Sequence, residues 1–185
     1  MAYDPEKHHR RSIRLKGYDY AQPGAYFVTI CVRERECALG HVEGGETILS
    51  DFGQAAHDFW AQVPIHFPNT STDTFVVMPN HVHAIIVIND PNGTGAATTS
   101  TCTGAATTPL QAGIGQPTLG QIVAYYKYQT TKHINQIRGN AGAPFWQRGF
   151  YEHIIRNNRE LDAIRRYITN NPLKWQLDRD NPKNW

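Results

Sequence analysis

The chain has 185 residues, 40 % of them hydrophobic, and a formal net charge of +2, which allows one domain with a proper core. Three cysteines, Cys31, Cys37 and Cys102, are odd in number and lack zinc-ligand spacing, which argues against a disulfide framework. The N-terminus is basic rather than apolar and no apolar run reaches the roughly 18 residues of a membrane span, so a cytoplasmic protein is expected. The charge is unevenly spread: residues 1–118 hold 7 Lys/Arg and 11 Asp/Glu, whereas residues 119–185 hold 11 and 5. A basic C-terminal third suits either a polyanionic partner or a solvated helix surface.

Residues 1–24, with His8-His9-Arg10-Arg11, Arg14 and Lys16, read as a basic arm ending at Pro23-Gly24. Ala25 to Val32 is β-branched and aromatic, apolar on both parities, and is predicted to be a central strand. Residues 33–49 are polar and Gly-bearing, with a short edge strand expected around Thr47-Ile48-Leu49. Ser50 or Asp51 caps a helix through Phe52, Ala55, Ala56, Phe59, Trp60 and Val63, which Pro64 ends. Thr72–Val77 and His81–Ile88 form a hairpin across Pro79-Asn80.

The composition of residues 89–117, rich in Thr, Ala, Gly and Ser, reads as an insertion that buries no core. Thr118 caps a second helix through Leu119, Ile122, Val123, Tyr126, Thr130, Ile134 and Ile137, stopped at Gly139. Phe145 to Ile155 is extended and fits a final strand. Asn157, with Glu160 as a capping box, opens a third helix striped by Leu161, Ile164 and Ile168, and Pro172 marks its end. Strand, helix, strand, strand, helix, strand and a trailing helix make an α+β, ferredoxin-like (split βαβ) plan. Two helices cover one face, and the other face is left for a ligand and the trailing helix.

His81 and His83 stand two apart on a strand and so point to one face, where both imidazoles can meet one metal ion. Two further residue pairs can complete such a site. Tyr167 and Asn171 share a helix face at i, i+4, and so do Tyr125 and Gln129. In each pair a carboxamide can ligate a hard cation, with a phenol one turn away. Spacing alone leaves both pairs open.

Three segments carry a resemblance: Met78-Pro79-Asn80-His81-Val82-His83; Phe145-Trp146-Gln147-Arg148 with Tyr151-Glu152-His153-Ile154-Ile155-Arg156; and Tyr167-Ile168-Thr169-Asn170-Asn171-Pro172-Leu173-Lys174-Trp175. Together with Tyr18-Asp19-Tyr20 and Pro23 to Thr29, they resemble the REP-associated tyrosine transposases, of the HUH single-tyrosine class. The resemblance spans most of the chain outside the 89–117 insertion. It implies a catalytic domain over 25–175, with an arm at 1–24 and a tail at 176–185. The implied activity is cleavage and rejoining of single-stranded DNA at palindromic hairpins through a 5′-phosphotyrosine. Carried over residue by residue, it makes Tyr167 the nucleophile and His81, His83 and Asn171 the ligands of Mg²⁺ or Mn²⁺. Related enzymes often have Gln at the third position, one methylene longer than Asn171.

Arg148, Arg156, Arg165, Arg166 and Lys174 are expected to hold phosphates, and Trp146 to stack on a base. The expected partners are single-stranded or hairpin DNA near the nucleoid and no membrane, with the chain a monomer or homodimer. The alternative is a module of the same fold that binds nucleic acid without chemistry. A histidine-triad hydrolase is disfavoured, because Ala84-Ile85 follows His83 and no third alternating histidine exists.

Overall fold

The computed structural model describes residues 14–90, 116–178 and 180–185. The basic cluster at 8–11 and most of the 89–117 insertion lie outside them. In chain order the elements are β1 (Gly24–Cys31), a 3₁₀ turn (Arg33–Arg35), β2 (Gly40–Glu43), β3 (Glu46–Leu49), α1 (Asp51–Ala61), α2 (Val63–His66), β4 (Thr70–Met78), β5 (His81–Ile88), α3 (Leu119–Ile137), β6 (Tyr151–Ile155) and α4 (Asn158–Thr169). Two further 3₁₀ segments follow, Pro172–Leu177 and Pro182–Asn184.

The main sheet has the order β4-β5-β1-β6, and all its pairs are antiparallel. This is the ferredoxin-like arrangement the element order predicts, with β1 and β5 central. Their apolar residues fall on both parities because both faces are covered. On one face Tyr26, Val28, Ile30, Val82 and Ile86 meet Trp60, Ile122, Val123 and Tyr126 from α1 and α3. On the other face Phe27 and Ile85 meet Ile168 of α4, flanked by Leu161 and Ile164. Helix α4 covers part of that second face, and His81 and His83 lie beyond its apolar stripe.

Local chemistry sets the boundaries. Ser50, not Asp51, caps α1, its Oγ accepting from Gly53 N at 3.2 Å. Thr118 and Gln121 form a reciprocal capping box on α3. Asn157 Oδ1 accepts from Glu160 N at 2.9 Å, but Glu160 reaches one residue further back than a capping box, to Arg156 N at 2.8 Å.

Three expectations change. Helix α1 ends at Ala61, and Pro64 sits instead in the first turn of α2, where its missing N–H goes unneeded. The edge strand near residue 48 belongs to a separate β2–β3 hairpin. Gly44 and Gly45, with φ of +59° and +85°, supply its tight turn. The final strand starts at Tyr151 rather than Phe145. Trp146 makes an isolated bridge to Val32 and Gln147 N donates to Cys31 O at 2.8 Å, after which the backbone leaves the sheet until β6.

Candidate active site

The hairpin turn at Pro79-Asn80 delivers His81 and His83 to the same face of β5, both buried. Their Nε2 atoms are 3.0 Å apart. Each Nδ1 is engaged from behind: His81 Nδ1 by Asn80 Oδ1 at 2.8 Å, and His83 Nδ1 by Thr29 Oγ1 at 2.9 Å. The Asn80 amide nitrogen donates to the carbonyls of Arg35 (3.1 Å) and Asp180 (2.6 Å). That fixes its Oδ1 toward His81 as an acceptor, so His81 carries its proton on Nδ1 and turns a lone pair on Nε2 toward His83. Burial, aided by the nearby charge of Arg35, pushes His81 down to about 3, so the ring is neutral in this environment. Two nitrogens this close must share either a proton or a cation.

Helix α4 brings Tyr167 to this pair. Its hydroxyl lies 3.2 Å from His83 Nε2, and the two rings meet at 5.2 Å between centroids. Phe27 packs edge-on to Tyr167 at 6.0 Å. The Tyr167 side of this contact is half exposed, at 47 %. One turn later Asn171 is buried, and its Oδ1 has no hydrogen-bond partner among the described residues. Trp175, within the 3₁₀ segment that follows, packs against His81 at 6.1 Å between ring centroids. Asn171 thus lies between one residue that touches His83 and another that touches His81.

Two imidazole nitrogens and a carboxamide oxygen are donor types that a divalent cation takes. A buried, unpartnered carboxamide oxygen is costly unless something electropositive meets it. The 3.0 Å between imidazole nitrogens is close to the spacing of adjacent corners in an octahedral shell with bonds of about 2.1 Å. Among the described residues no group of three or more His, Cys, Asp or Glu side chains can hold a metal. A site here must therefore draw on the carboxamide or on substrate oxygens.

A cleft of about 420 Å³ opens beside Tyr167 and His83, with Phe27, Arg35, Asp178 and Asp180 among its walls. A larger groove, about 860 Å³, runs along the C-terminal half of α3 and the 139–148 segment. Tyr167, His81 and His83 are not among the residues that line it.

Tyr125 and Gln129, which spacing left open, belong to α3 on the opposite face of the sheet. Tyr125 is stacked on His66 at 3.8 Å. Arg148, Arg156, Arg166 and Lys174 are exposed. Arg165 is held instead by a two-pronged contact to Asp73 and by Asp162, so its charge is already compensated within the fold. Trp146 is a core residue, and the expectation that it stacks on a base is corrected. Its ring is buried beside Tyr126 and Phe145, and its indole N–H donates to Thr130 Oγ1 at 2.8 Å. An apolar ring with a single donor is stable there once that donor is met.

Sequence reasoning missed Thr29, Arg35, Trp175 and Asp180 as parts of this site. Thr29 had one legible signal, a hydroxyl in the middle of an apolar strand. Asn80 was seen only as a turn residue, though its side chain orients His81.

No known family model matches the chain. An uncharacterized protein of Haemophilus influenzae is 39 % identical over 183 residues, which span 95 % of each chain. A second protein of that organism, called “Putative REP-associated tyrosine transposase”, is 23 % identical over 164 residues, covering 84 % of this chain and 74 % of its own. The solved structure of a REP-associated tyrosine transposase bound to a REP hairpin shares the fold, with a TM-score of 0.51 and 19 % identity over 89 % of this chain and 74 % of that one.

Proposed function

We propose that this chain, which belongs to the same family as the 39 % identical Haemophilus influenzae protein and is related to the REP-associated tyrosine transposases, cleaves and rejoins single-stranded DNA at palindromic hairpins. The observation that carries this reading is the Tyr167 hydroxyl 3.2 Å from His83 Nε2, at the mouth of an open cleft.

Tyr167 is the nucleophile. Its Oη attacks the scissile phosphorus, an Oη–P bond forms, and the P–O3′ bond breaks. The products are a 5′-phosphotyrosine and a 3′-oxygen that takes up a proton as it leaves. Reversal by a 3′-hydroxyl rejoins strands without a nucleotide cofactor, because the phosphodiester energy is kept in the tyrosyl ester. A free phenol has a pKa of about 10, so its proton must be made easier to lose. Phe27 orients the ring from its edge, and the α4 stripe fixes the height of Tyr167 above the sheet.

His81, His83 and Asn171 would hold a divalent cation, Mg²⁺ or Mn²⁺, which supplies Lewis acidity to the phosphate and lowers the barrier to phenolate formation. Asn80 and Thr29 keep the two imidazoles turned toward that position. Arg148, Arg156, Arg166 and Lys174 offer charges to the DNA backbone. The site of action is the cytoplasm, at the nucleoid; no helix among the described residues is long and apolar enough to cross a membrane.

The test is incubation with oligonucleotides carrying palindromic hairpins from the DNA that flanks the coding region, plus Mn²⁺, followed by denaturing electrophoresis. A protein–DNA adduct that resists denaturant and is absent from Tyr167→Phe is expected. A parent that binds the hairpin but forms no adduct is a binding module only.

A further inference from the structure

The turn between β1 and β2 holds two successive non-glycine residues in the left-handed region, Glu34 and Arg35, both at φ +57°. A side chain with a Cβ enters that region at a cost, and such residues persist where surrounding contacts over-determine them. Here they do. Val32 N donates to Asn80 O (2.8 Å), Arg33 N to Phe145 O (2.8 Å) and Arg35 N to Val32 O (3.1 Å). The effect is to turn the Arg35 side chain into the cleft that also takes in Tyr167 and His83. Among the described residues lining that cleft, Arg35 is the one with a permanent positive charge.

In this structure Arg35 meets a carboxylate. Its Nη1 lies 2.6 Å from Asp180 Oδ1, and both side chains are largely shielded from solvent. Asp180 arrives from the C-terminal segment, which returns over the site. Its own backbone carbonyl is held by the Asn80 amide, which also holds the Arg35 carbonyl. One asparagine therefore ties together His81, the cationic turn and the acidic tail. A carboxylate and a phosphodiester present the same paired oxygens to a guanidinium, while Asp178 and Asp180 together make the cleft wall acidic. Those carboxylates oppose a polyanionic strand beside Tyr167.

We propose that Arg35 clamps a phosphodiester of the DNA strand in the Tyr167 cleft, and that the Asp180 carboxylate occupies the clamp in the free chain and is displaced by DNA. The inference rests on the reading of the cleft as a DNA site, and it adds the residue that grips the strand there and the segment that competes with it.

The experiment measures binding of fluorescein-labelled dT12 by anisotropy, without divalent metal and in a Tyr167→Phe background so that no chemistry intervenes. Asp180→Asn is expected to raise affinity three- to tenfold. Arg35→Gln should lower it about tenfold, and Arg35→Lys less. Asp180→Asn added to Arg35→Gln should give no gain, because the competitor has lost its object. Thermal melts of each variant separate these effects from unfolding, and Arg35→Lys keeps the charge if Arg35→Gln fails to fold. An equal gain from Asp180→Asn with and without Arg35 overturns the proposal, and so does unchanged dT12 affinity in Arg35→Gln. Adduct formation by the parent on hairpin DNA is scored separately. An adduct without the Arg35–Asp180 coupling removes the clamp and leaves the transposase reading, whereas the coupling without an adduct retains the clamp and removes the nucleophile.

Discussion

The hydroxyl of Tyr167 stands 3.2 Å from Nε2 of His83, although 83 residues separate them in the chain. The contact exists because β5 presents its histidines on the sheet face that α4 crosses. The first prediction follows from it. Tyr167 is half exposed and its ring rests on Phe27, so Tyr167→Phe keeps the packing and removes only the hydroxyl. Covalent adduct should disappear on a denaturing gel, while stability changes by no more than about 0.5 kcal/mol in urea unfolding.

Asn171→Leu should move two measurements in opposite directions. The substitution removes a buried oxygen that has no partner among the described residues, so the metal-free protein should gain stability by roughly 1 kcal/mol. Its melting temperature should then respond far less to Mn²⁺ than the parent's does. If Mn²⁺ raises the melting temperature of both proteins equally, Asn171 is no ligand.

Thr29 touches His83 from behind, at 2.9 Å. Thr29→Val keeps the shape and deletes the hydrogen bond that orients the ring. Loss of such a partner typically weakens metal affinity about 10- to 100-fold, which calorimetric titration with Mn²⁺ can read.

Asp73 anchors α4 to β4 through Arg165. The guanidinium holds the Asp73 carboxyl down to about 2, below its ordinary value near 3.9. The folded state therefore binds that proton less readily than the unfolded chain. The stabilisation is fully present above about pH 4 and is lost as pH falls through 2. After allowance for partial exposure it amounts to about 1 kcal/mol. Asp73→Asn should lower stability at pH 7 by that amount, and the gap from the parent should narrow below pH 4 and close as urea unfolding is repeated toward pH 2.

Trp146 and the exposed cations should separate cleanly. Trp146→Ala removes a core ring and should cost about 3–5 kcal/mol of stability, seen as a large fall in melting temperature. Arg166→Ala or Lys174→Ala should leave the melt unchanged and reduce the slope of log affinity against log salt by about 0.7 for single-stranded DNA. Arg165→Ala should destabilise instead, because its charge serves Asp73.

The sequence by itself determined the four strands of the main sheet and the three long helices, the pairing of β4 with β5, and the shared face of His81 and His83, because side-chain period and apolar patterning are local properties. It also determined the motifs that resemble a transposase family, and through that resemblance Tyr167 was singled out from two helices that spacing could not separate. Tertiary structure decided which helix lies on which face: α3 packs with Tyr125 on the far side of the sheet, and α4 brings Tyr167 to His83. It also decided that Trp146 is core and that Arg165 is compensated, since both depend on what another part of the chain places beside them. Asn80, Arg35 and Asp180 became one cluster only in the fold. Their link is a hydrogen-bonded amide joining residues 45 and 100 positions apart, and contacts at that range leave no periodic mark in a sequence.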